Sequence, residues 1–296
     1  MSEQLSRAAI LPLFAAGFLW GGMAAPVRAD DASAWDNDIR SSARLIAARA
    51  IGTQQDRVLR AGIEIKLQPG WKTYWRYPGD SGVPPAFDFA ASYNVKAVSV
   101  LFPAPMRFPD GAGGQSIGYR DNVILPLHIV AQDATKPVTL RLKLDYAACE
   151  KLCVPAKAKA ELAISGAPSA HDDVLAAAEA RVPKKVAVAA GPTPFVLAGG
   201  PPLSISTVRR EGGSGQPRVI VDVAVTHGAT PDLFVEGPTS DWALPLPRPV
   251  PGAPSGLHRF AFDLDGLPPG ANSAGAMLRL TAVSGAEAIE ATYRLD

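Results

Sequence analysis

Cysteine is almost absent from the 296-residue chain: Cys149 and Cys153 are the only two, and they sit in one short stretch. Thiols so close together pair only with each other or with another protein. Histidine is nearly as scarce. His128, His171, His227 and His258 lie far apart with no ligand spacing, which argues against a metal site built from them and the cysteines. No cysteine–histidine spacing, serine elbow or phosphate loop is present. Gly111-Ala112-Gly113-Gly114 lacks a following lysine and a helical context, so it is no phosphate cradle. Hydrolase and nucleotide chemistry therefore lack support, and no cofactor is expected. An excess of either charge is missing too: without residues 1–29 the chain holds 27 basic and 27 acidic residues. That balance argues against a nucleic-acid partner or a polybasic membrane patch. Beyond the N-terminus no stretch is long and apolar enough to span a bilayer, and neither a fixed-period repeat nor a low-complexity tract occurs.

The first 29 residues read as an export signal. Arg7 precedes an apolar run from Ala8 to Met23, and Val27-Arg28-Ala29 fits a small-x-small cleavage site, with Asp30 as the expected mature start. A single retained anchor is the competing reading. It is disfavoured because the run is shorter than the ~20 residues of a spanning helix and is rich in alanine and glycine. Export places the two thiols in an oxidising compartment. A disulfide closing so small a loop is a weak staple. Chain entropy gives roughly 2 kcal/mol for about five residues, against about 3 for fifteen. A dithiol that is made and broken explains the pair better. Lys151 favours the thiolate and Glu150 opposes it, so the local charges set no clear pKa.

What is abundant is alternation. Leu59, Ala61, Ile63, Ile65 and Leu67 share one face, with Arg60, Glu64 and Lys66 on the other. Leu140, Leu142 and Leu144 alternate with Arg141, Lys143 and Asp145; Ala158, Ala160, Leu162 and Ile164 alternate with Lys157, Lys159 and Glu161. Such period-two patterns predict an all-β, mainly antiparallel fold with one solvated face. The last two runs flank the cysteines, so Cys149 and Cys153 belong in the connection of a β-hairpin. A thioredoxin arrangement would place the first cysteine at a helix start instead. One helix is expected from Ser169 or Asp172 to Pro183, with Val174, Ala178 and Val182 on one face and Leu175 beside them. Alternation resumes around Val219–Val225, Phe260–Leu264 and Leu278–Leu280, then at Ile289–Leu295 after a Ser284-Gly285 turn. The expected organisation is a signal peptide over 1–29, a redox β-sandwich over 30–168, a helix and linker over 169–194, and a second β domain over 195–296. The second domain carries no cysteine and reads as a structural or docking module.

Two segments are unusual. Residues 69–85 are dense in aromatics and turn formers: Trp71, Tyr74, Trp75 and Tyr77 either wall a redox site or plug a sandwich core. Residues 102–119 read as a long glycine-rich loop carrying Phe108, either a mobile flap over the cysteines or a plain crossover.

Read in order, Gly70-Trp71-Lys72-Thr73-Tyr74-Trp75, Pro78-Gly79-Asp80 with Pro84-Pro85, Phe102-Pro103-Ala104-Pro105, Ile117-Gly118-Tyr119, Leu125-Pro126 and Tyr146-x-x-Cys149-x-x-x-Cys153-x-Pro155 resemble the periplasmic N-terminal domain of DsbD- and ScsB-type thiol:disulfide interchange proteins. The resemblance covers about residues 38 to 165 and extends more loosely, in the manner of ScsB-like members, over the helix and second β domain. It implies an immunoglobulin-like sandwich that takes electrons from a membrane-embedded CcdA- or DsbD-like protein, or from a thioredoxin-like one, and passes them to exported disulfide-containing proteins. It implies Cys153 as the exchanging thiol and Cys149 as the resolving one, with an aromatic cap nearest to Phe108-Pro109-Asp110. The expected shielding set is Phe108, Trp71, Tyr74 and Tyr146. Two departures stand out: the chain has neither the multi-helix membrane domain nor the thioredoxin domain of DsbD, and its cysteine spacing is shorter. A different class of reading stays open, a non-enzymatic immunoglobulin-like interaction module in which a Cys149–Cys153 bond only fixes a hairpin loop.

Overall fold

A computed structural model describes residues 30–53, 56–111, 113–188, 201–212, 217–226 and 230–296. The expected signal peptide and much of the expected linker lie outside these residues. The first half runs β1 (Asp36–Asn37), β2 (Ser41–Ile51), β3 (Val58–Leu67), β4 (Lys72–Gly79), β5 (Ala86–Asp88) and β6 (Val95–Val100). It continues through β7 (Met106–Pro109), β8 (Gln115–Arg120), β9 (Asn122–Ala131), β10 (Val138–Cys149) and β11 (Cys153–Ile164) to helix α1 (Asp172–Ala180). The second half holds β12 (Lys184–Val186), β13 (Leu203–Glu211), β14 (Arg218–Val225), β15 (Asp232–Glu236) and β16 (Arg248–Pro249), then β17 (Leu257–Asp263), β18 (Met277–Ser284) and β19 (Glu287–Arg294).

Two sandwiches result. In the first, a β1-β2-β3-β9-β6 sheet faces a β11-β10-β4-β8-β7 sheet, with β5 beside β10. Leu45, Ile63, Leu127, Leu140 and Trp75 fill the space between them. In the second, β12-β19-β18-β15 faces β13-β14-β17-β16 around Val221, Val235, Phe260 and Leu280. Inward and outward residues alternate along these strands as the sequence predicts; β10 alternates from Val138 to Tyr146.

The structure departs from the sequence reading in four places. The charged face of β3 is not solvated: Arg60 and Glu64 are buried. Helix α1 lies over it, where Glu179 pairs with Arg60 and Glu64 accepts from Arg44. Leu175 is the buried residue of α1 and Val174 is exposed, because this short helix meets the sheet along a single line. Residues 102–119 are not one long loop. Met106–Pro109 pairs with Gln115–Gly118 as the β7–β8 hairpin, leaving only residues 110–114 as a tip. Its prolines and glycines masked the strands; β7 is an edge strand, where Pro109 costs no ladder bond. Finally, the expected linker begins with a strand, since β12 runs parallel to β19 in the second sandwich.

Candidate functional site: a half-buried disulfide at the end of a hairpin

The long β10–β11 ladder runs without a break from Val138↔Ile164 to Cys149↔Cys153. It delivers the two cysteines as the last opposed pair, with Glu150, Lys151 and Leu152 as the connection. The pair is joined in a disulfide with a Cα–Cα separation of 4.1 Å. The two partners are unequal. Cys149 is buried at 5 % exposure, whereas Cys153 is exposed. The cause is register: β10 is an inner strand that pairs with β4 through Cys149↔Lys72, while β11 is the edge of its sheet.

Both sulfurs open on a hollow of about 270 Å³ whose walls include Tyr74, Gly82, Phe108, Asp110 and Ser116. Tyr74 stands 2.8 Å through its hydroxyl from Cys153 Sγ and 3.0 Å from Cys149 Sγ. With the sulfurs bonded to each other, the phenol is the donor. Burial raises the Tyr74 pKa; a hydrogen bond with Ser116 opposes the rise and the Asp110 charge adds to it, so the group keeps its proton at neutral pH. Tyr74 and Trp75 are successive residues of β4 and point to opposite faces, which sends Tyr74 to the sulfurs and Trp75 to the core at 0 % exposure. The aromatic-rich segment thus serves both purposes the sequence left open.

Phe108 lines the same hollow and is 2 % exposed. Lys72 Nζ lies 4.7 Å and the Arg120 guanidinium 5.5 Å from the centre of its ring. Below it the 110–114 tip is fastened: Gly114 N–H donates to Asp110 (2.9 Å), and Ser81 Oγ donates to the other Asp110 oxygen (3.0 Å). The other two residues of the expected shielding set lie elsewhere. Trp71 is half-buried with Arg40 5.6 Å from its ring centre, outside the walls of the hollow. Tyr146 is a core residue whose hydroxyl bonds Ser41 at 2.6 Å, further along the ladder from the cysteines. Three residues that the sequence reading passed over also matter here. Gly82 and Ser116 line the hollow, and Arg107 stands behind Phe108; none carries a local pattern that marks it.

Residues 42–164 match the family model described as thiol:disulfide interchange protein DsbD, N-terminal. The N-terminal periplasmic domain of ScsB from Proteus mirabilis has a similar fold, with a TM-score of 0.67 at 19 % sequence identity over 90 % of this chain and 98 % of that one. No curated protein matches the chain in sequence. The family match coincides with the first sandwich, where the motifs pointed, and the likeness of fold extends over both. A disulfide-forming cysteine pair in a region that matches this family model supports thiol–disulfide exchange in general.

Proposed function

We propose that the protein is a periplasmic relay of reducing equivalents that works through Cys149 and Cys153. The observation that carries this reading is the inequality of the two sulfurs: one is exposed to a partner, the other buried beneath it, and one phenol touches both. In the reduced protein the Cys153 thiolate attacks a disulfide of an exported protein. A mixed disulfide forms and one substrate thiolate leaves. The Cys149 thiolate then attacks the Cys153 sulfur, expels the second substrate thiolate and closes the Cys149–Cys153 bond. Two electrons have passed to the substrate. A membrane-embedded or thioredoxin-like dithiol partner restores the reduced form by the reverse sequence. Each step runs through a thiolate, so its rate depends on thiolate fraction, access and the leaving thiol's pKa.

Removing the resolving thiol should trap the intermediate. Cys149→Ser is expected to accumulate a covalent, reductant-sensitive complex in the periplasm, and Cys153→Ser to accumulate little. Reversed trapping would exchange the two roles. No trapping from either variant, together with a reduction potential below about −300 mV, would leave the disulfide as a structural clip.

A further inference from the structure

Phe108 belongs to a strand that its own sheet holds poorly. β7 has four residues, lies at the sheet edge and pairs on one side only, with β8. Beyond Pro109 the chain turns through Gly111 and Gly113, where an added Cβ would meet open space. Short edge elements with few neighbours open at low cost. Yet Phe108 is almost fully buried over the dithiol hollow, so something else keeps β7 in place.

Besides the Ser81–Asp110 bond at the hairpin tip, a restraint comes from the second sandwich. Arg107 precedes Phe108 and projects from the opposite face of β7. Its Nε donates to Asp232 Oδ2 at 3.0 Å and its Nη2 to Asp232 Oδ1 at 2.8 Å. The same Nη2 reaches the carbonyls of Leu233 (3.0 Å) and Pro247 (3.2 Å). The guanidinium also lies 5.5 Å from the centre of the Phe234 ring. Asp232, Leu233 and Phe234 all belong to β15. This is a two-pronged, charge-assisted attachment with backbone and aromatic support, the geometry for which arginine is suited and lysine is not. β7 is therefore bolted from behind to one strand of the other domain, while Phe108 on its front face lines the hollow on which both sulfurs open.

We infer that Arg107 is a positioning residue through which the second domain holds the Phe108 shield closed over Cys149. The inference rests on the exchange reading for its meaning. It gives the second domain a role in the chemistry, which is to keep the resolving thiol away from outside reagents while Cys153 stays open. Releasing Arg107 frees β7 to lift, and the sulfur that gains access is Cys149 rather than Cys153.

The test uses the full chain, reduced and then labelled briefly with iodoacetamide, with modification at each cysteine read by mass spectrometry. The ratio of Cys149 to Cys153 labelling is expected to rise roughly tenfold in Arg107→Ala, the scale set by losing charge-assisted hydrogen bonds. Asp232→Asn, which keeps the shape of its side chain, should move the ratio in the same direction, and Arg107→Lys should recover part of the loss. Arg259→Ala breaks a comparable pair with Asp222 inside the second domain, at 2.7 Å, and should leave the ratio unchanged. An unchanged ratio in Arg107→Ala and Asp232→Asn, an equal rise at both cysteines, or the same shift in Arg259→Ala would overturn the inference. Trapping by Cys149→Ser is scored separately, so a clamp without exchange and exchange without a clamp give different results.

Discussion

At the scale of single residues, Tyr74 is the group best placed to tune the thiols. Its hydroxyl lies within hydrogen-bonding distance of both sulfurs, and burial holds its own pKa above the ordinary tyrosine value. It therefore remains a donor over the range in which a thiol ionises. A donor aimed at a thiolate stabilises the charged form and lowers the thiol's pKa. Tyr74→Phe keeps the ring and removes that donor. Since a hydrogen bond to a charged group contributes about 1.5–3 kcal/mol, the apparent pKa of Cys153 should rise by about one unit or more in the variant. The pH profile of Cys153 alkylation in the reduced protein measures this directly. A superimposable profile would show that the phenol only fills space.

At the scale of elements, the site depends on how closely three strands approach. β4 sits between β10 and β8, and Thr73 hydrogen-bonds the Ala147 carbonyl through its hydroxyl at 2.9 Å while its backbone opposes Tyr119. Gly118 in β8 lies directly against this segment: a Cβ there would run into the Thr73 carbonyl, with no flexible side chain to give way. Gly118→Ala should therefore push β8 and its attached β7 away from β4. A loss of about 1–3 kcal/mol is expected, the usual range for overpacking. Urea unfolding tests it, and a wild-type midpoint would mean that the strands have slack. The same argument explains the Gly118-Tyr119 pair in the sequence pattern, where Tyr119 donates to the Pro103 carbonyl at 2.8 Å and ties the segment before β7 to the core.

At the scale of the whole molecule, the two sandwiches share an interface rather than a mere tether. Phe234 and Leu246 of the second half pack into the core of the first, with Phe234 5.8 Å from Trp75 between ring centres. Arg76 donates to Glu236 (2.7 Å) and Glu290 (2.6 Å). Burial works against its charge, but the bonds and charges of the two glutamates hold its pKa above the ordinary value. Tyr77 donates to the Leu244 carbonyl at 2.6 Å, and its pKa is pushed up to about 12 by burial first, then by the charges of Asp80 and Glu236. The folded state thus favours the protonated phenol. Its contribution to stability is complete below the unfolded value near 10 and is lost as pH climbs from there toward 12. Wild type should exceed Tyr77→Phe by about 1 kcal/mol at pH 7 in urea unfolding, and that margin should shrink above about pH 10. A margin that stays constant as pH rises through this window would remove Tyr77 from a closed interface.

Much of this was legible in the chain. Period-two alternation marked the strands because a residue's face in a sheet depends only on its parity, a local property. The hairpin followed because two alternating runs converge on Cys149 and Cys153, and the redox reading followed because a loop that short is a poor staple. Other features depend on distances the chain does not encode locally. Alternation and spacing treat the two cysteines alike, whereas an inner and an edge strand make one buried and one exposed. It offers Trp71, Tyr74, Phe108 and Tyr146 as equals, and the sheet sends Tyr74 and Phe108 to the hollow and Tyr146 into the core. Arg107 and Asp232 are ordinary charges 125 residues apart, and only the packing of one sandwich on the other makes them a pair. Local periodicity chose the elements; long-range packing, which decides burial and therefore reactivity, made the site.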